Sequence, residues 1–296
     1  LLDREKVYGY DDDTERFIAY QIASLDWIAQ WEHKPDVIHC HDHHTGLIPF
    51  MVSNSNVYRH LSHIPTVLTI HNGQYQGQFG WDKLHYLPAY DLRNSSKLDW
   101  SNSINPLASA IICAWRVTTV SPSYLDEISY KANGLESLLA QERGKSFGIL
   151  NGIDNEVWNP QKDPMLTKGF TNRTVESGKK ANKDALCDVF NLDKTKPLFT
   201  FIGRLVGEKG ADLLPDIFWN ALRQSEGEIN ILVLGSGDPV VEDRLNAIEK
   251  HELANKDIAK DVSDEKNISN PKKTKSESTS YIIYLSLSIV LSIILY

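Results

Sequence analysis

At 296 residues the chain is long enough for two domains of ordinary size, each able to bury a core without covalent staples. Its formal charge of -8 excludes the broad basic surface with which proteins neutralise nucleic-acid phosphates, while leaving room for local binding of a small anion. Cys40, Cys113 and Cys187 are odd in number, far apart and outside any Cys-x-x-Cys pair, so no disulfide framework is required and a reducing compartment fits.

The chain opens Leu1-Leu2-Asp3 with no charged n-region, and no signal or transit peptide is read there. Ile18, Ile22, Leu25 and Ala29 recur at helical spacing behind Asp12, with Glu15 three residues on, which predicts a capped helix ended by Pro35. Residues 37–41 and 66–70 predict short buried strands running into the polar loops His41-Asp42-His43-His44-Thr45-Gly46 and His71-Asn72-Gly73. A buried helix over 105–115 and strands over 117–120 and 147–150 follow, the last closed by Asn151-Gly152. The polar stretch 159–196, with Pro160, Pro164 and Gly169, suits a segment crossing between domains, and the boundary is placed at 163.

The pattern then restarts with a strand over 198–202, a helix over 211–222, a strand over 231–234 and a helix over 240–249. Strands alternating with helices predict βαβ units and parallel sheets, an α/β fold. The expected organisation is therefore one domain over 1–163 and part of a second over 164–249. Residues 250–280 are charged and too poor in apolar side chains to order, and 281–296 form an apolar tail shorter than the roughly 20 residues of a typical spanning helix. A tail anchor and a segment foreign to the folded domain are the two readings of that end.

Ligands of open α/β sheets bind beyond the carboxyl ends of the strands, which selects the loops at 41–46, 71–73, 151–154, 203–210 and 235–239. The first invites a metal reading, but residues 39–44 run H-x-H-D-H-H where a metallo-β-lactamase-like site has H-x-H-x-D-H, so the carboxylate is one position early. Arg204 and Lys209, at a strand end and a helix start among Gly203, Gly207 and Gly210, either face one anion or form a solvated surface pair. A diphosphate leaving group is the anion such cations would stabilise most in a transition state. Gly235-Ser236-Gly237-Asp238 has the look of a nucleotide turn without the full G-x-G-x-x-G, and no Walker A loop is present.

Six segments in series, DVIHCHDHHTGL (36–47), TIHNG (69–73), VSPSY (120–124), ILNGID (149–154), GRLVGEKG (203–210) and LGSGDP (234–239), resemble the bacterial-type glycogen and starch synthases. The resemblance covers residues 1–249 and implies a GT-B fold, two Rossmann-like parallel-sheet domains facing across a cleft, both incomplete here. It implies retaining transfer of glucose from ADP-glucose to the non-reducing end of an α-1,4-glucan, glycogen or starch, in the cytoplasm, with no cofactor and no metal. Carried over by motif, Arg204 and Lys209 hold the donor diphosphate, His71 touches the transferred glucose and Asp42 helps to position it. Asn151 and Gly152 fall in the sugar pocket, and Gly203, Gly235, Ser236, Gly237 and Asp238 lie by the nucleotide.

The family's Lys-x-Gly-Gly-Leu and Glu-Pro-Cys-Gly-Leu loops are not in this sequence, and the expectation is a polypeptide inactive or only partly folded on its own. The alternatives are another GT-B enzyme, similar to a sucrose or trehalose-phosphate synthase, or a non-catalytic glucan-binding or membrane-tethered remnant. None of these readings takes nucleic acid as a partner.

Overall fold

The computed structural model describes residues 3, 4, 7–251 and, as backbone, 281–285. They divide into two compact units, Leu1–Ile153 and Asp154–Tyr296, so residue 163 falls inside the second.

In the first unit, α1 (Asp13–Gln30), β1 (Ile38–His41), α2 (Ile48–Asn54) and β2 (Thr66–Ile70) are followed by a small hairpin, β3 (Asp99–Trp100) and β4 (Ser103–Ile104). Then come α3 (Pro106–Cys113), β5 (Arg116–Thr119), α4 (Pro122–Ile128), α5 (Glu136–Gln141) and β6 (Ser146–Gly148). The main sheet is parallel throughout, in the order β1-β2-β5-β6. Side chains alternate across it. Cys40, Leu68, Ile70 and Val117 enter one core with Leu25, Phe50, Leu107 and Ile111 from the helices. His39, His41, Thr69 and Thr118 occupy the other face, where His39 Nε2 lies 2.7 Å from Thr69 Oγ1 and Thr69 Oγ1 lies 2.6 Å from Thr118 Oγ1. Because every strand runs the same way, the loops that leave β1 and β2 emerge at the same edge of the sheet.

The second unit contains α6 (Val175–Val189), β7 (Leu198–Ile202), α7 (Leu214–Gln224), β8 (Asn230–Leu234), a further helix α8 over residues 239–251, and β9 (Tyr281–Leu285). These strands are also parallel, in the order β7-β8-β9. Leu205, Ala211, Leu222, Ile231, Val233 and Leu245 form its core. The α/β class expected from the alternation of elements is present in both units. The first five residues of the apolar tail form a strand paired with β8 in continuous register. The rest of that tail, and residues 252–280 of the charged segment, lie outside the described residues.

Three local expectations are corrected. Asp12 stands before α1 but its side chain makes no capping bond there. Instead it pairs with Arg4, Asp13 accepts the amides of Gly9 and Tyr10, and Glu15 pairs with Lys83. The polar stretch 159–196 holds the 15-residue helix α6. Finally, β6 begins and ends earlier than its apolar residues predict, because Ser146 is the buried position while Phe147, Ile149 and Leu150 are exposed.

Candidate active site

The loop after β1 turns on Asp42, whose backbone sits at φ 52 and ψ -166, a conformation costly for any residue with a side chain. Its amide donates to Thr69 O on the neighbouring strand at 3.0 Å. One carboxylate oxygen, Oδ1, accepts the backbone N–H of His71 at 2.7 Å and that of Asn72 at 3.4 Å. Asp42 and His71, 29 residues apart, are thereby joined into one site, and the aspartate reaches the turn rather than the histidines beside it in sequence. Thr45 closes the loop by accepting His41 N–H at 2.6 Å and donating to His41 O at 2.8 Å. Gly46 is required by space, since a Cβ there would lie 2.5 Å from Pro106 O.

His41, at the junction of β1 with the 41–46 loop, also takes part. Its Nδ1 lies 3.0 Å from His71 Nε2, a hydrogen bond that needs one ring to offer a lone pair. Partial burial holds His41 below the ordinary imidazole range, with His39 and His71 adding to the effect. His43 donates Nδ1–H to Tyr75 O at 3.1 Å, and Gly77 lies so close that a Cβ would come within 2.4 Å of the ring. Burial first, and His44 second, push His43 down from 6.5 to about 4. Among the described residues no group of three His, Cys, Asp or Glu side chains is placed to hold a metal ion.

The sign of the pH dependence follows. Between about pH 6.5 and 4 the unfolded chain protonates His43 while the folded chain does not, so stability is complete above 6.5 and falls as the pH drops toward 4. We expect His43→Gln to lower the proton uptake on unfolding at pH 5 by about one, read from the pH dependence of thermal unfolding. An unchanged slope would remove His43 from this account.

In the second unit the two glycine loops are zipped together. Leu205, fully buried, donates its N–H to Ser236 O at 2.8 Å and accepts from Asp238 N at 2.7 Å, while Gly203 N donates to Leu234 O at 3.0 Å. A Cβ on Gly235 would lie 2.2 Å from Gly203 O, and one on Gly237 would lie 2.3 Å from Leu205 O. Close backbone packing therefore accounts for both glycines. The Gly237 amide is already taken by Glu242 Oε1 at 2.7 Å, and Asp238 caps α8 by accepting Val240 N–H at 2.8 Å.

Arg204 leaves this rigid seam with an exposed guanidinium that pairs with Glu208 at 2.7 Å. Lys209, also exposed, ends a single 3₁₀ turn closed by Gly210 at φ 66. Asn151 and Gly152 are exposed in the coil that follows β6. Burial pushes the first unit's thiols up, Cys40 to about 12 and Cys113 to about 11, so both are protonated at neutral pH.

Residues 1–141 match the family model described as the starch synthase catalytic domain. Over 258 residues, 87% of the chain, it is 54% identical to a glycogen synthase of Flavobacterium johnsoniae, of which it spans 54%. The chain is similar to the glycogen and starch synthases. A glycogen synthase of Streptococcus gordonii is 41% identical over 249 residues, 81% of this chain and 51% of that one. Among solved structures, the catalytic domain of starch synthase IV from Arabidopsis thaliana, bound to ADP and acarbose, superimposes with a TM-score of 0.75 at 29% identity, covering 95% of this chain and 54% of that one. The fold is thus the GT-B type of that family. The chain spans about half the length of the curated relatives it matches. Among the described residues no helix is long and apolar enough to cross a membrane.

Proposed function

We propose that the chain serves a retaining glucosyltransferase that moves glucose from ADP-glucose to the non-reducing end of an α-1,4-glucan in glycogen or starch synthesis. The observation that carries this reading is the 54% identity over 258 residues, 87% of the chain. The ADP and acarbose held by the Arabidopsis relative support an ADP-bearing donor and a glucan acceptor. Three free cysteines, none in a disulfide, are compatible with work in the cytoplasm.

In this reading Arg204 and Lys209 hold the diphosphate and stabilise the charge that grows as ADP departs. His71, fixed through Asp42 and His41, meets the glucosyl group. The acceptor hydroxyl bonds to the anomeric carbon on the face that the diphosphate leaves, and its proton passes to the departing phosphate oxygen. No protein nucleophile is used. Asn151 and Gly152 serve the sugar, and residues 235–238 serve the nucleotide through their hold on Gly203 and Arg204.

Because the chain spans about half the length of its relatives, equilibrium binding is the informative measurement. We expect calorimetry to give tighter binding of ADP-glucose than of UDP-glucose, and tighter binding of ADP-glucose than of ADP. A preference for UDP-glucose would transfer the chain to another GT-B activity. Retention on glycogen with no nucleotide binding would make it a glucan-binding protein.

A further inference from the structure

We infer that Tyr124 is a positioning residue for the transferred glucose, acting through the turn at 71–73; this rests on the assignment of His71 to that sugar. The turn is held in an unusual way. Four successive amides are each taken by a side chain: His71 N and Asn72 N by Asp42 Oδ1 at 2.7 and 3.4 Å, Gly73 N by Tyr124 Oη at 2.8 Å, and Gln74 N by Asn72 Oδ1 at 3.0 Å. Its shape is therefore set by the atoms that receive those N–H groups and not by a strand ladder.

Asp42 grips the turn from the end of β1, and Tyr124 grips it from α4, 51 residues further along the chain than Gly73. The phenol is itself fixed. Tyr124 N donates to the Ser121 Oγ cap of α4 at 2.9 Å, and the ring packs against the first unit's core. Burial raises the Tyr124 pKa, which keeps the hydroxyl protonated at neutral pH.

Gly73 is not dictated by space, since a Cβ there would meet Tyr124 Oη and Ile128 Cγ2 at an ordinary 3.7 Å. What the site demands at this position is the direction of an amide. Asp42 fixes residues 71 and 72, and beyond Gly73 the chain is held by Tyr75 N donating to Asn72 O at 3.3 Å and by His43 donating to Tyr75 O at 3.1 Å, so Tyr124 is the side chain that sets the Gly73 amide between these two fixed points. His71 is bonded to His41 at 3.0 Å, so a pivot of the turn would alter that ring contact as well.

The test is Tyr124→Phe, which deletes one oxygen and keeps the ring. Exchange of the Gly73 amide with solvent should rise about tenfold, and affinity for ADP-glucose should fall about fivefold, with ADP affinity unchanged. Tyr58→Phe is the comparator: it removes a hydroxyl bonded to Asp26 at 2.7 Å in the core, and should lower the melting temperature while leaving the ADP-glucose to ADP ratio alone. Parallel loss of both ligands in Tyr124→Phe would make Tyr124 merely structural and overturn the inference. So would an unchanged ratio. A wild-type chain that binds ADP-glucose no better than ADP would instead remove the sugar assignment on which the inference stands.

Discussion

Arg204→Ala is expected to weaken ADP binding by roughly tenfold to a hundredfold in calorimetry, and Lys209→Ala by a similar factor, the range of a lost charge-assisted hydrogen bond. The loop beneath Arg204 does not depend on its side chain. Leu205 is buried and bonded through its backbone to residues 236 and 238, and Gly203 is bonded to β8, so the substitution should leave the melting temperature nearly unchanged. Affinity would thus be lost without unfolding. Arg204→Lys should recover only part of it, because an ammonium cannot make the paired contacts of a planar guanidinium.

Glu208 supplies the opposite sign. The Arg204–Glu208 pair is more than half exposed on the arginine side, and such pairs contribute little, about 0–1 kcal/mol, so a diphosphate can displace the carboxylate. Removing that competing charge in Glu208→Gln should tighten ADP binding about threefold and make the affinity more sensitive to salt. Weaker binding in Glu208→Gln would mean that the glutamate orients Arg204 for the nucleotide. An Arg204→Ala chain that binds ADP as well as the wild type would take the guanidinium out of the donor site altogether.

Much of this geometry can be read without coordinates where a strand is short, apolar and followed by a turn. The strand over 198–202 matches β7 residue for residue, and the strand over 66–70 matches β2. In both, β-branched or aromatic side chains stop abruptly at glycine, arginine or histidine. Helix α6 escaped because its stability does not come from an apolar stripe. Only Gly178 and Cys187 are buried in it, with Phe170 resting where the Gly178 side chain would be. A helix that buries one glycine and one thiol, and is otherwise tied down by polar contacts such as Asn182 Nδ2 to Lys168 O at 2.7 Å, looks polar throughout.

The site itself was legible as loops but not as contacts. Asp42 and His71 were selected as strand-end residues, yet nothing in the sequence shows that the carboxylate accepts amides across 29 and 30 positions. Gly235 and Gly237 have the sequence of a nucleotide turn, and in the fold both also meet a steric requirement, the approach of the 203–205 backbone. Glu208 and Tyr124 lie inside segments that carry the resemblance and Glu242 outside them, yet the sequence assigns a partner to none of the three. Each acts through an atom whose partner is fixed only after folding, and neither periodicity nor composition carries that information.

Asp42→Ala should abolish the preference for ADP-glucose over ADP and destabilise the first unit by about 1–2 kcal/mol, the cost of withdrawing the acceptor from two partly exposed amides. For a domain of this size that is a fall in melting temperature of roughly 3–6 °C. Two effects are mixed in that substitution, because alanine keeps the unfavourable φ of 52 while losing the carboxylate. Asp42→Gly separates them. Glycine adopts that backbone freely and should restore about 1 kcal/mol of the stability, yet it offers the turn no acceptor, so the ligand preference should stay lost. Recovery of stability without recovery of discrimination is the signature of a carboxylate that aims His71 at the sugar. If Asp42→Gly regained the preference for ADP-glucose, backbone shape alone would be sufficient, and the hydrogen bonds from Asp42 to the 71–72 amides would have no part in recognising the donor.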